Sequence, residues 1–334
     1  MYYIMKKIAI NGFGRIGRAA LKIALTKKDV KVVAINDLAD LDNLTYLLKY
    51  DSVYGRFDKT VKVSGKNLIV GKTSIPFFQI AEPSKLPWKK LKVDVALECT
   101  GVFKTKKDAS KHLKAGAKNV IISAPAKGDD VATIVKGVNH EIAKDHDVVA
   151  NASCTTNCVS PVMAVLEANF GVEKALLTTI HSVTASQRTV DLTDKKDWRR
   201  GRAAGSNMIP TTTGAATATA LTLPSLEGKF DGMAVRIPLV CGSFADVTVL
   251  SSKDATESQI NQAFIKASKN PIYKGILEVT DEPIVSTDIL GNPASSTVDL
   301  SFTKVVGGNL VKVCAWYDNE WGYANRLVEM VNEL

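Results

Sequence analysis

A cysteine set among hydroxyls, and three glycines spaced to cradle a phosphate-bearing cofactor, are the residues of this chain best suited to chemistry. Cys154 stands in Asn151-Ala152-Ser153-Cys154-Thr155-Thr156-Asn157-Cys158, after a short apolar stretch at 148–149 and before an apolar run at 159–170 that ends on Gly171. The order reads as strand, polar turn and helix. A thiol at a helix start feels partial positive charge, which favours thiolate over thiol and suits it to nucleophilic catalysis. Pro161 falls early in that helix, and a bend is expected there. Cys99, Cys158, Cys241 and Cys314 are read instead as small buried hydrophobes.

The glycines are Gly12, Gly14 and Gly17, directly after a short apolar strand at 7–11 and directly before the helical period of Ile16, Ala19, Ala20, Ile23 and Ala24. In such a unit the first glycine makes a tight turn, the second lets backbone approach a pyrophosphate, and the third lets helix pack on strand. The helix N-terminus then faces the phosphates. A second strand at 30–35 ends at Asn36-Asp37, and Asp37 lies 20 residues beyond Gly17, where an acid meets the adenosine ribose hydroxyls. That acid repels a 2′-phosphate, so NAD is expected over NADP. The alternative role for Asp37 is to cap the next helix, at 41–48.

The elements that position these groups follow from alternation. Strands are expected at 61–63, 68–70, 93–97, 120–122 and 148–149, with a helix at 105–115, which makes the first half a Rossmann-type doubly wound parallel sheet. Alternating strands at 175–183, 233–238, 245–250, 296–301 and 310–316 build a second, α+β domain with a mixed sheet. Residues 1–153, completed by a helix at 323–334, are expected to form the dinucleotide-binding domain, and 154–322 the catalytic domain. At 334 residues, two domains are the natural prior.

Composition narrows the function class. Hydrophobic residues make up 46% and charged residues 23%, which is ordinary globular usage. No apolar run approaches the roughly 20 residues of a membrane span, and the start Met1-Tyr2-Tyr3-Ile4-Met5-Lys6-Lys7 places its charges on the wrong side for a secretion signal. Five scattered cysteines and four scattered histidines suggest neither a disulfide framework nor a metal site, so no metal is expected and a reducing, cytoplasmic setting fits. The net charge of +9 reports steering of anions. Its densest stretch, from Lys104 to Lys118, reads as the solvated face of a helix whose buried stripe is Ala109, Leu113 and Ala117. Without an aromatic-rich basic groove, nucleic acid is not indicated as the primary partner.

Taken together, Ser153 to Cys158, Asn11-Gly12-Phe13-Gly14-Arg15-Ile16-Gly17-Arg18, Glu98-Cys99-Thr100-Gly101, Ser123-Ala124-Pro125 and Trp316-Tyr317-Asp318-Asn319-Glu320-Trp321-Gly322-Tyr323 resemble the motifs of the phosphorylating glyceraldehyde-3-phosphate dehydrogenases, and the likeness runs along essentially the whole chain. The resemblance implies Cys154 as nucleophile and His181 as base. It implies that Asn319 holds the nicotinamide carboxamide with Tyr323 beside the ring. Asn11, Gly12, Arg15, Ile16 and Asp37 match the pyrophosphate and adenosine positions, with Thr100 and Ser123 lining the same cleft. Thr184 and Arg236 match the site for the substrate's phosphate, and Ser153, Thr155, Arg200, Thr213 and Gly214 the site for inorganic phosphate.

The implied reaction is glycolytic: NAD-dependent oxidative phosphorylation of D-glyceraldehyde 3-phosphate to 1,3-bisphosphoglycerate through a Cys154 thioester. An imidazolium at His181 is expected to lower the Cys154 thiol. The alternatives are erythrose-4-phosphate dehydrogenase, against which Thr213-Gly214-Ala215-Ala216 speaks, and an additional polyanion or surface-binding role. The polar stretch 186–210 resembles a subunit-contacting loop and implies a homotetramer. Three places depart from the family pattern: residues 82–88 lack an Arg-Asp pair, Thr193 stands where proline is common in bacterial members, and Thr217 replaces a common lysine.

Overall fold

The structure, a computed structural model, describes residues 5–334; most of the start read against a secretion signal lies outside the described residues. Contacts divide the chain into two compact units. Among the described residues, one comprises 5–134, 140–152 and 324–334, the other 135–139 and 153–323.

The first unit is built on a nine-stranded sheet. Its order from one edge is Ala132–Thr133, Val148–Ala150, Asn119–Ile122, Val95–Glu98, Lys6–Asn11, Val30–Asn36, Thr73–Phe78, Asn67–Val70 and Val61–Ser64. The first seven strands run parallel, and Ile8, Ala9, Ile10, Val95, Ala96, Leu97, Val120 and Ile121 at its centre are buried, as a sheet covered on both faces requires.

Two sequence expectations change here. The last two strands are an antiparallel extension of the parallel sheet, joined to it by Thr73–Phe78, a strand that the sequence reading lacks. Pro76 and the polar Thr73 and Ser74 mask its pattern. The lysine-rich segment forms two four-residue helical turns, Lys106–Ala109 and Lys111–Lys114, in place of one continuous helix at 105–115. Thr105 caps the first, and Gly116 ends the segment at φ +104 with no room for a Cβ against Lys89. Ala109 and Ala117 are buried as expected, and so is His112.

The second unit carries a seven-stranded mixed sheet in the order Ile209–Thr212, Phe230–Ile237, Val172–Ser182, Ser243–Ser251, Leu310–Tyr317, Ser296–Val306 and Leu277–Thr280. Helices Cys154–Phe170, Ala215–Thr222 and Glu257–Ser268 pack on one face, where Val162, Leu166, Leu177, Phe264, Val247 and Val313 form the core. The two edge strands at 209–212 and 277–280 are too short to carry an alternating signal. Helix Trp321–Glu329 begins two residues before the expected start, and a 3₁₀ turn, Met330–Glu333, finishes it.

Candidate functional site

In the first unit, Gly12 takes φ +94, and a Cβ there would lie 2.6 Å from the Thr100 nitrogen. A Cβ at Gly17 would lie 2.1 Å from the Gly12 carbonyl oxygen, whereas at Gly14 it would meet nothing. The first and third glycines are thus demanded by the protein itself, and the second leaves open space at the start of helix Arg15–Ala24. No side-chain hydrogen bond from Gly14 caps that helix, and a helix start beside a glycine turn favours an anion. A pocket of about 520 Å³ lies here, lined by Asn11, Gly12, Gly14, Asn36, Asp37 and Thr100 among others.

Asp37 does not cap the following helix; Asp40 does, accepting from the Asn43 nitrogen. Asp37 instead accepts the Phe13 N–H at 2.6 Å and the Ala39 N–H at 2.9 Å, which fixes its carboxylate beside the glycine turn. Arg15 pairs with Asp51 at 2.8 Å, and Ile16 and Gly17 lie on the helix wall outside the pocket. Ser123 follows the strand Asn119–Ile122 beside Cys99, which is not fully buried as expected but partly exposed at the pocket wall, with its thiol pushed up to about 12 by desolvation.

Beneath the pocket lies a buried network that sequence reasoning missed. Glu98 accepts from Asn11 Nδ2 at 2.6 Å, from the Thr100 nitrogen at 2.8 Å and from the Thr100 hydroxyl. His112 Nε2 is 3.0 Å away, and Trp88 Nε1 donates to His112 Nδ1 at 3.0 Å. An indole N–H can only donate, so His112 Nδ1 accepts and Nε2 carries the proton to Glu98. The carboxylate thereby holds two pocket residues, Asn11 and Thr100, through one side chain.

In the second unit, Cys154 is the first residue of a 17-residue helix. Ser153 caps it, its hydroxyl accepting the Thr156 N–H at 3.0 Å. Pro161 sits within the helix, which continues through it to Phe170. Cys154 Sγ lies 3.4 Å from His181 Nε2, and His181 is carried by the strand Val172–Ser182 with 2% of its surface exposed. Arg236, from the parallel neighbour strand and directly opposite His181 in register, places Nη1 2.6 Å from His181 Nδ1 and 3.1 Å from the Ser182 carbonyl.

Electrostatics here depart from the expectation of a thiol lowered by an adjacent imidazolium. Burial pushes the Cys154 thiol up, against the Arg236 guanidinium and the hydrogen bonds of Thr155, which pull it down. Burial and Arg236 together take His181 down to about 3. Neither group ionises readily alone. Passage of a proton from Sγ to Nε2 would place a thiolate and an imidazolium 3.4 Å apart, where each opposite charge favours the other.

Tyr317, assigned no role from sequence, is fully enclosed below this pair. Its hydroxyl meets Thr155 at 2.9 Å and Thr179 at 2.8 Å, its ring lies edge-on to His181, and burial raises it well above the usual phenol. Arg200 donates Nε to Thr211 at 2.8 Å and lies near enough to Arg236 to lower it further, after burial. Two guanidiniums that repel each other mark a place where an anion is welcome. Thr213 and Gly214 stand at the start of helix Ala215–Thr222, with Gly214 as its cap. The Thr184 hydroxyl faces Ser186 and Gln187 on an exposed turn. Asn319 is buried, its Oδ1 turned to Ser182, Gly242 and Ser243, and Tyr323 is buried within the terminal helix. Among the described residues no group of His, Cys, Asp and Glu is arranged to hold a metal ion, and no helix is long and apolar enough to cross a membrane.

Residues 6–106 match the family description "Glyceraldehyde 3-phosphate dehydrogenase, NAD binding domain", and residues 153–319 match "Glyceraldehyde 3-phosphate dehydrogenase, C-terminal domain". The chain belongs to the glyceraldehyde-3-phosphate dehydrogenase family. It is 49% identical to glyceraldehyde-3-phosphate dehydrogenase of Geobacillus stearothermophilus over 97% of this chain and 96% of that one. It is 48% identical to glyceraldehyde-3-phosphate dehydrogenase 2 of Streptomyces avermitilis over 97% of each chain. The likeness reaches yeast: glyceraldehyde-3-phosphate dehydrogenase 1 of Kluyveromyces lactis is 46% identical over 99% of this chain and 100% of its own length. The glycine turn of the first unit fits the NAD of this family, since it provides a strand-turn-helix cradle whose open side is Gly14.

Proposed function

We propose that the protein oxidises D-glyceraldehyde 3-phosphate with NAD and captures the acyl group with inorganic phosphate, giving 1,3-bisphosphoglycerate. The observation that carries this reading is the Cys154–His181 pair at a helix N-terminus, with Arg236 and Arg200 beside it. His181 takes the thiol proton, and the Cys154 thiolate forms a C–S bond to the aldehyde carbon. The resulting thiohemiacetal gives up its hydroxyl proton to His181, returned to its neutral form, as the carbon is oxidised to a thioester. The bound dinucleotide supplies the hydride acceptor. Inorganic phosphate then attacks the thioester carbon, and the thiolate leaves.

Arg236 and Thr184 hold the substrate's phosphate in this scheme, while Arg200, Ser153, Thr155, Thr213 and Gly214 receive inorganic phosphate. Asn11, Gly12, Gly14, Arg15, Asp37, Thr100 and Ser123 hold the adenosine and pyrophosphate end, with Ile16 and Gly17 supporting the glycine turn from the helix behind it; Asn319 and Tyr323 hold the nicotinamide. The preference for NAD over NADP rests on Asp37. NADH formation from glyceraldehyde 3-phosphate, with and without phosphate, tests the reaction: sustained turnover is expected only with phosphate. Turnover without it, or a preference for erythrose 4-phosphate, overturns the phosphorylating assignment.

A homotetramer in the cytoplasm completes the proposal. Support for assembly comes from the sheet of the second unit, whose face opposite the helices exposes Leu176, Phe302 and Leu310, with 65%, 49% and 44% of their surface free.

A further inference from the structure

The orientation of the Asn319 amide is imposed by its surroundings. Oδ1 accepts from Ser182 Oγ at 2.9 Å, from Ser243 Oγ at 2.9 Å and from the Gly242 N–H at 3.1 Å. Hydroxyls can donate or accept, but a backbone N–H can only donate. Ser243 Oγ already accepts the Ser182 N–H at 3.2 Å, and its own proton points to Asn319 Oδ1 at 2.9 Å; the Gly242 N–H is the contact that decides the amide's orientation. A flipped amide would turn its NH₂ against the Gly242 N–H, donor against donor, in a place where Ser182, Ser243 and Asn319 are all buried. Gly242 itself is held in place: φ is +89, and a Cβ would lie 2.5 Å from the Ser286 carbonyl oxygen. Nδ2 is the amide atom these contacts leave available.

We propose that Ser182, Ser243 and Gly242 are positioning residues that lock Asn319 with Nδ2 outward, so that it presents a donor alone and engages the carbonyl oxygen of a nicotinamide carboxamide, not its nitrogen. This rests on the assignment of Asn319 to the nicotinamide. Ser182 also joins the clamp to the acid–base machinery, because its carbonyl oxygen lies 2.7 Å from His181 Nδ1. One buried serine thus fixes the hydride-acceptor holder through its hydroxyl and the base through its backbone.

The test is calorimetric titration of the full-length protein with three ligands: NAD, ADP-ribose, which lacks the nicotinamide, and 3-acetylpyridine adenine dinucleotide, which keeps the carbonyl oxygen but has no amide nitrogen. In the unmodified protein, NAD and the acetylpyridine analogue are expected within about threefold of each other, both tighter than ADP-ribose. The Ser182→Ala/Ser243→Ala variant is expected to weaken both by about tenfold, the worth of an oriented hydrogen bond, and to leave ADP-ribose within about twofold. Asn319→Ala should match that loss, with the serine changes adding nothing on top.

Equal weakening of ADP-ribose by the serine changes reveals a merely structural role and overturns the proposal. An acetylpyridine analogue no tighter than ADP-ribose overturns the donor polarity. If Asn319→Ala weakens NAD while the serine variant does not, the lock is refuted and the assignment of Asn319 stands. If Asn319→Ala leaves NAD binding intact, that assignment fails too.

Discussion

Asp37 offers the most direct quantitative test of cofactor choice. Its carboxylate is pinned by the Phe13 and Ala39 N–H groups, so it cannot swing away from a ligand in the pocket it lines. NADP would bring a 2′-phosphate of roughly −1.5 to −2 charge to the ribose that this carboxylate is proposed to meet. At 4 Å, unit like charges repel by about 1 kcal/mol in water and about 4 kcal/mol at an effective dielectric of 20. The penalty is therefore at least about 1.5 kcal/mol, and kcat/KM for NAD should exceed that for NADP by at least about tenfold. Asp37→Ala removes the charge and should narrow the ratio severalfold. It also removes the acceptor of the Phe13 N–H, so NAD affinity should fall as NADP use rises. Raising the salt concentration should shrink the unmodified enzyme's preference but not the variant's. Steady-state kinetics with both cofactors decides the matter. Equal use of NAD and NADP by the unmodified enzyme, or an Asp37→Ala enzyme with its discrimination intact, refutes the reasoning.

Cys154→Ser should abolish aldehyde oxidation while NAD binding, followed by calorimetry, persists; Cys158→Ser, which loses only a buried thiol 3.6 Å from Ser296 Oγ, should keep most activity. His181→Asn removes the acceptor of the thiol proton, and because burial raises Cys154, iodoacetamide labelling at pH 7 should slow by more than about tenfold and recover only above the ordinary thiol range, about pH 8.5. A labelling profile unchanged from that of the unmodified enzyme would show that His181 is not the partner of the thiol. Gly12→Ala forces a side chain to φ +94 and to within 2.6 Å of the Thr100 nitrogen, at a cost of about 1–3 kcal/mol or more. Its thermal midpoint and its NAD affinity should both fall.

Much of the fold was legible because its periods are clean. Strand Lys6–Asn11 carries the apolar run Ile8-Ala9-Ile10 just before a glycine turn, and Val172–Ser182 and Ser243–Ser251 alternate along most of their length. The failures have local causes. Pro76 and two hydroxyl residues hide Thr73–Phe78, whose place in the sheet is decided by its pairing with Val30–Asn36 and Asn67–Val70. The segment around His112 shows a lysine face and an alanine stripe, and nothing in that pattern announces that its histidine is fully enclosed against Trp88 and Glu98. Sequence spacing reports which side a residue takes. It does not report which distant polar groups meet there.

The same limit governs the candidate site. Cys154 stands out by its motif and His181 only through the family resemblance; the structure sets them 3.4 Å apart, and burial pushes the thiol up where a lowered one was expected. A helix start argues for a lowered thiol, and Cys154 does occupy that position. What the sequence hides is the enclosure formed by Tyr317, Thr155 and the strand of His181, and burial is the largest influence on both Cys154 and His181. Reactivity then belongs to the pair. Arg236 sharpens this dependence, because its guanidinium favours the thiolate and opposes the imidazolium at the same time. His181 Nδ1 also has two claimants, the Ser182 carbonyl as acceptor and Arg236 as donor, and it can satisfy only one. With Nδ1–H on Ser182, Nε2 faces the sulfur as a base. With Nδ1 accepting from Arg236, Nε2 carries the proton. The tautomer of His181 is thus tied to where one arginine rests, a coupling between residues 55 apart in sequence that the parallel pairing of their strands creates.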